Sequence, residues 1–403
     1  MKSRPEVVAA MELLRIDKLR KGQRKPINAI LDGEDTLLIA PTSFGKSLVY
    51  QIPAVIFDGM TVVIEPLLAL MHDQVNKLKA LDIRAAYIDS TLSDSDRRSA
   101  MAKIDKGKIK ILYVSPERLE SGILHVIAKH NRIDMIVVDE CHCVTMWGSD
   151  FRKAYLSIGK HIDKLKPHPV VVALSASVYP EDISAITEAL SMRDPRVIHR
   201  PLYRSNLTFT KKAVKDRTEQ KKILLKLMKK HHRHTTIIFC STKKAVDFVA
   251  KTLKDKPAYA DDVVIYHGSC KAYEHEMLAG KKHIVVATSA LSLGVDIPDI
   301  DLVIHFNLPL SIAEYSQMAG RAGREGQKAR DILIYNPSDY HTNWGLLQEI
   351  KDNAARQTAV ERLDAMKEFC EDDTQCMVKL VLNALGDDHK TRCRYCTNCQ
   401  KGR

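Results

Sequence analysis

The sequence predicts an α/β protein with two parallel sheets followed by a small helical, cysteine-bearing tail, and three observations carry that prediction. Short Val/Ile/Leu runs recur between longer helical patterns in two successive series, most of them ending in a polar cluster. The strand pattern stops after about residue 345. Four of nine cysteines then crowd the last 28 residues.

The first series is TLLIA (36–40), TVVIE (61–65), IKILYVS (109–115), MIVVDE (135–140) and VVVALSA near 171. Near-continuous apolar runs of this length suit strands buried on both faces of a parallel sheet. The second series is TTIIFC (235–240), DVVIYH (262–267), HIVVAT (283–288), LVIHFN (302–307) and ILIYN (332–336), with a break between the series near Pro201 to Asn206. No fixed sequence period relates the halves, which excludes a repeat array. Glu349 to Leu385 reads as helices. The expected division is 1–203, 204–345 and 346–403.

At 403 residues, 45% hydrophobic and 28% charged, the chain has globular composition and is neither disordered nor collagenous. No apolar run approaches the roughly 18 residues of a membrane span. Arg4, Glu6, Glu12 and Arg15 interrupt what would be the core of a signal peptide. The expectation is a soluble, intracellular protein without membrane association. The formal charge is +12, which favours a polyanionic partner. Much of it falls in two segments. Arg204 to His234 holds eleven lysines and arginines against Asp216 and Glu219, and Thr391 to Arg403 holds four basic residues and no acid. For KKILLKLMKKHHRH a solvated helix face over a leucine stripe is at least as good a reading as a nucleic-acid track. The segment that flanks the last cysteines is the better phosphate contact.

Strand TLLIA runs into Ala40-Pro41-Thr42-Ser43-Phe44-Gly45-Lys46-Ser47 and then a helical pattern. This fits a phosphate-binding loop with Ala in place of its first glycine. Backbone N–H groups cradle phosphates, Lys46 reaches the β and γ oxygens, and the Ser47 hydroxyl ligates Mg²⁺. MIVVDECH ends in Asp139-Glu140-Cys141-His142. An acidic pair at an apolar strand end is costly unless a cation or a reaction uses it. Asp139 is placed to hold Mg²⁺ through water, and Glu140 to orient and deprotonate the attacking water. Gln317-Met318-Ala319-Gly320-Arg321-Ala322-Gly323-Arg324 offers two arginine forks among small residues, suited to phosphoryl oxygens in a transition state. Cys376, Cys393, Cys396 and Cys399 give C-x16-C-x2-C-x2-C, a structural zinc pattern, with Cys370 and His389 as alternative ligands.

With these motifs in order, the sequence resembles superfamily-two helicases, and specifically the RecQ family, over most of its length. Arg20 and Gln23 resemble the adenine-reading segment, and VVIEPLLALMHDQV (62–75) and YVSPERL (113–119) resemble segments that grip a single strand. Leu174-Ser175-Ala176-Ser177 stands where the family couples hydrolysis to domain movement. VATSALSLGVDIPDIDLVIHFNLP (286–309), which contains the nucleotide-site residue Asp296, and QMAGRAGREG (317–326) resemble second-domain motifs, with Arg324 the arginine finger. CHCVTMWGSDFRKAY (141–155) resembles the aromatic-rich loop that senses single-stranded DNA, with Trp147, Phe151, Arg152 and Tyr155 matching.

The resemblance implies two tandem RecA-like P-loop NTPase domains with parallel sheets, then a helical zinc-binding subdomain. It implies ATP, Mg²⁺ and Zn²⁺ as cofactors, single-stranded and tailed duplex DNA as partners, a monomer, and work in DNA repair and recombination. The implied activity is ATP-dependent translocation on single-stranded DNA with unwinding, 3′ to 5′. The alternatives are a translocase that unwinds weakly, or a zinc-containing nucleic-acid-binding protein whose ATPase has decayed. The sequence also departs from the family. Ser43-Phe44 replaces glycines in the loop, Ile16 stands where an aromatic stacks on adenine, Ser-Ala-Ser replaces a Thr-containing version, and the loop from Gly268 to Lys282 is shorter. Only four residues follow Cys399, so the winged-helix and small helical nucleic-acid domains of many relatives are expected to be absent.

Overall fold

The computed structural model describes residues 4–145, 150–232, 234–267, 282–292, 297 and 300–401. The chain divides into two compact units, 1–201 and 202–403. Unit 1 holds β1 (Thr36–Ile39), β2 (Met60–Ile64), β3 (Ala85–Ile88), β4 (Ile111–Val114), β5 (Ile133–Val138), β6 (Val170–Ser175) and β7 (Arg196–His199). They form one parallel sheet in the order β3-β4-β2-β5-β6-β1-β7. Unit 2 holds β8 (Leu207–Ala213), β9 (Thr235–Phe239), β10 (Val263–Tyr266), β11 (Ile284–Ala287), β12 (Ile300–His305) and β13 (Ala329–Tyr335). These pair in parallel in the order β10-β11-β9-β12-β13-β8.

Interior strands β1, β2 and β4 are buried along their whole length. Apolar side chains on both faces leave no reason for polar alternation. The apolar runs did not announce β3, β7 and β8, and all three are sheet edges. These edge strands are less covered: AAYI is buried only at its two ends, RVIH only at Ile198, and LTFTKKA alternates before ending in exposed residues. After β13 come helices Ser338–Leu347, Asn353–Glu371, Met377–Ala384 and Thr397–Lys401, all within unit 2. Among the described residues no helix is long and apolar enough to cross a membrane.

The basic segment from Arg204 separates into distinct environments. In helix Arg217–Lys230 the exposed Lys222, Lys226, Lys229 and Lys230 surround a buried row of Leu224, Leu227 and Met228, the solvated-face reading. Lys211 of β8 is only 7% exposed. Its ammonium donates to the carbonyls of Cys370 (2.9 Å), Phe369 (3.4 Å) and Asp372 at the C-terminus of helix Asn353–Glu371. A cation there offsets the helix dipole and satisfies orphan carbonyls.

Candidate nucleotide site, arginine turn and metal centre

In unit 1, β1 leads through a 3-10 turn, Thr42–Phe44, into helix Lys46–Ile56. Gly45 has φ +78°, the left-handed region, and a Cβ on it would stand 2.9 Å from Gln23 Nε2. Gln23 is 1% exposed. Its Nε2 donates to the carbonyls of Phe44 (2.9 Å) and Gly45 (3.1 Å), while its Oε1 accepts from Arg20 N (2.8 Å). The Gln23 amide thus clamps the loop. Arg20 is exposed, with its guanidinium on the same side of Gly45. Phe44, which stands in place of a loop glycine, is buried in the hydrophobic core of unit 1. Thr42 and Ser47 are half-buried on the loop and the first helical turn. Lys46 Nζ points back to the carbonyl of Ala40 at 3.5 Å.

The acidic pair follows β5. Asp139 is 7% exposed, and its Oδ1 accepts the Glu140 N–H at 2.8 Å. Glu140 takes a left-handed φ of +48°, a strained conformation for a side-chain-bearing residue, of a kind common at reactive sites. Burial, and then the Glu140 charge, push the Asp139 carboxyl up to about 6, against the pull of Lys46. Glu65, at the end of β2 and 1% exposed, is raised well above the usual range by burial and then by Asp139 and Glu140. The signal for Glu65 in the sequence is that TVVIE ends in the same strand-end acid that marks MIVVDE. Buried carboxyls gathered beside one lysine fit a divalent cation, whose charge would restore their ionised forms. Ser47 and Asp139 would be among the oxygen donors to Mg²⁺ there.

His142 links this site to the next strand. Its Nδ1 lies 3.0 Å from Ser175 Oγ and 3.3 Å from Glu140 Oε2, and burial lowers its basicity so that the ring is neutral near pH 7. Ser175 Oγ in turn donates to the carbonyl of Ser177 at 3.2 Å.

Of the aromatic group expected to meet DNA, Tyr155 requires correction. It is fully buried and its hydroxyl donates to the backbone carbonyl of Asp139 at 2.8 Å. A ring enclosed in this way has no face for a base. It holds the acidic pair instead. Trp147 lies outside the described residues, as does Asp296. Phe151 and Arg152 belong to helix Asp150–Ile162, but their side chains fall outside the described set.

In unit 2, helix Ile312–Ala319 is capped by Ser311, whose Oγ accepts Glu314 N at 3.1 Å. It carries Gln317, and the turn after it carries Arg321 and Arg324. Gln317 and Arg321 are buried, whereas Arg324 is half-exposed, the better placed of the two arginines to reach a ligand. The turn is tied from upstream. Arg204 donates to the carbonyls of Gly320 (3.0 Å) and Gly323, and Asn206 Nδ2 donates to those of Gly323 and Gln327 (both 2.8 Å). Burial, and then the Arg324 charge, pull the Arg204 guanidinium down to about 10. In the sequence Arg204 is one basic residue of a run, with nothing in its neighbours to mark this role.

Cys376, Cys393, Cys396 and Cys399 come together with all four sulfurs within 4.8 Å of one another. The Cys393–Cys399 and Cys376–Cys396 pairs stand 4.0 Å apart. A tetrahedron with Zn–S bonds of about 2.3 Å needs sulfurs about 3.8 Å apart, so the set fits zinc. Backbone N–H groups of Cys393 and Cys396 donate to the sulfurs of Cys376 and Cys393, both at 3.3 Å. At Cys376, burial raises the thiol, but N–H groups of Cys393 and Lys379 outweigh it and bring it down to about 7, toward the thiolate that binds metal. Cys370 and His389 stay outside the tetrad: Cys370 is buried by Lys211, and His389 stacks on Tyr203.

The comparisons with known proteins follow the same order along the chain. Family models match for a DEAD/DEAH box helicase over residues 20–186, a helicase conserved C-terminal domain over 219–326, and RecQ zinc-binding over 337–400. The chain is 33% identical to the ATP-dependent DNA helicase RecQ of Pasteurella multocida over 94% of its length and 60% of that protein's. It is 32% identical to the RecQ of Bacillus subtilis over 95% of its length and 65% of that protein's. The chain therefore spans about three-fifths of the length of these relatives. Among solved structures, helicase Lhr of Mycobacterium smegmatis bound to ssDNA and AMP-PNP aligns with TM-score 0.68 at 20% identity, covering 88% of this chain and 50% of that one. Dbp5 of S. cerevisiae bound to RNA and ADP BeF3 aligns at 0.67 and 16% identity, covering 95% and 97%. At such identities these two bear on the fold alone.

Proposed function

Because the chain belongs to the RecQ family of helicases, we propose that it is an ATP-dependent DNA helicase that couples hydrolysis to movement along single-stranded DNA and to unwinding, 3′ to 5′. The observation that carries the reading is the set Lys46, Asp139, Glu140, His142 and Ser175: a phosphate loop, an acidic pair, and a histidine that stands 3.3 Å from Glu140 and hydrogen-bonds Ser175 of a neighbouring strand. In this reading Thr42, Gly45, Lys46 and Ser47 bind the triphosphate and Mg²⁺, with Asp139 completing the metal's oxygen shell. Glu140 orients and deprotonates the attacking water. Gln317, Arg321 and Arg324 supply the donors and positive charge that phosphoryl transfer requires.

The division 1–203, 204–345 and 346–403 separates nucleotide binding, arginine supply and the zinc subdomain. Single-stranded and tailed duplex DNA are the partners, with Trp147, Phe151 and Arg152 sensing the strand and the chain acting as a monomer. The deciding experiment pairs ATPase stimulation by single-stranded DNA with displacement of 3′-tailed and 5′-tailed duplexes. Stimulated hydrolysis with displacement from the 3′ tail alone supports the reading. Hydrolysis without displacement makes the chain a translocase, and absence of stimulated hydrolysis overturns the proposal.

A further inference from the structure

We infer that residues 202–206 form a strap through which the zinc-bearing subdomain sets the position of the arginine turn, with Arg204 as its positioning residue. One end of the strap is held by the subdomain. The Leu202 N–H donates to Asp387 Oδ2 at 2.7 Å, the Tyr203 ring stacks on His389 at 4.8 Å with 23° between planes, and the Tyr203 hydroxyl lies 2.9 Å from that of Tyr395. Tyr395 sits between Cys393 and Cys396, so this contact reaches the tetrad itself. The other end is held by the turn. Arg204 bridges Gly320 and Gly323, the glycines that flank Arg321 and Ala322, and Asn206 fastens Gly323 and Gln327, to either side of Arg324.

The geometry leaves little slack. Gly323 has φ +63°, and a Cβ there would stand 2.7 Å from Asn206 Nδ2 and 2.8 Å from the Gln327 carbonyl. Its own N–H donates to the Ile300 carbonyl at the start of β12 (2.9 Å), and Ala329 N donates to the Asn206 carbonyl (2.9 Å). A guanidinium that fills two carbonyls with one planar fork fixes their separation as a single ammonium cannot. An arginine finger displaced by about 1 Å loses much of its effect, so the strap is where the metal site and the hydrolytic step meet.

The inference rests on the hydrolytic reading of Arg321 and Arg324, and its test separates the two. In the full chain with zinc bound, Arg204→Ala lowers kcat for DNA-stimulated ATP hydrolysis at least tenfold while the Kd for a fluorescent ATP analogue stays within twofold. Backbone hydrogen exchange rises over 320–327 and stays unchanged over 393–399. Arg204→Lys, which can satisfy one carbonyl, recovers part of the loss. Tyr203→Ala, which cuts the strap from the subdomain without touching the turn, also raises exchange over 320–327 and lowers kcat severalfold with zinc content intact. Wild-type kcat in Arg204→Ala, or exchange over 320–327 unmoved by it, overturns the positioning role. Unmoved exchange in Tyr203→Ala overturns the link to the zinc subdomain, and this arm holds even if Arg204→Ala fails to fold. A wild-type protein that hydrolyses no ATP sinks the functional reading, while the exchange measurements still decide whether the strap exists.

Discussion

The phosphate loop of unit 1 and the arginine turn of unit 2 solve the same problem by different means. Each is a short irregular segment after or before a helix, with carbonyls that no regular element satisfies. In unit 1 the tie is a neutral amide, Gln23, rooted 21 and 22 residues upstream of the carbonyls it holds, in the same unit. In unit 2 it is a cation, Arg204, aided by Asn206 and rooted in a strap that the metal-bearing tail holds. A neutral clamp leaves the loop's own N–H groups and Lys46 as the positive field that meets phosphate. A cationic clamp adds positive charge next to Arg324. The nucleotide loop is thus tied within its own unit, and the arginine turn is tied to the metal-bearing tail.

The largest effect that sharpens this contrast is chemical. Lys46→Ala or Glu140→Gln should reduce ATP turnover by at least about 100-fold, the scale of losing a principal electrostatic or acid–base group, with single-strand binding retained. Near-normal turnover by Glu140→Gln removes the assigned base. Next, elemental analysis should find about one zinc per chain, and the Cys396→Ala, Cys399→Ala double variant should lose it. If the two units differ as described, that variant unfolds unit 2 at lower temperature and still binds ATP analogues through unit 1. Equal loss of analogue binding breaks the contrast.

Protonation gives a third, smaller effect confined to unit 1. Because burial and Glu140 hold Asp139 up at about 6, a cation must displace a proton below that pH. Affinity for Mg²⁺-ADP should then fall as pH drops through 6, by up to about tenfold per unit, and Asp139→Asn should flatten the profile. The smallest change tests the corrected tyrosine. Tyr155→Phe removes one buried hydrogen bond and should cost about 1 kcal/mol of stability, read by denaturant titration, with single-strand affinity unaltered. A marked loss of DNA affinity would restore Tyr155 to the binding surface.

How much of this could be read in advance follows from burial. Interior strands such as β2 and β5 were legible because two-sided burial forces unbroken Val and Ile, whereas β3, β7 and β8 escaped because edge strands need only one apolar face. Lys46, Asp139 and the four cysteines were legible because their chemistry fixes both residue type and spacing. Gln23, Arg204 and Lys211 serve by bonding to backbone carbonyls, which bear no residue-specific mark, so their partners appear only once the chain is folded. Tyr155 misled because an aromatic beside basic residues has the same spelling whether its ring faces a base or the core.

Lys211 carries one consequence beyond its own bonds. It belongs to β8, the open margin of the second sheet, and its backbone N–H is taken by Thr397 Oγ1 at 3.0 Å while its ammonium holds the end of helix Asn353–Glu371. An uncovered margin of a sheet recruits other chains. The cysteine tail is therefore also a lid on a sticky seam, and metal loss should be felt as self-association of the protein at high concentration.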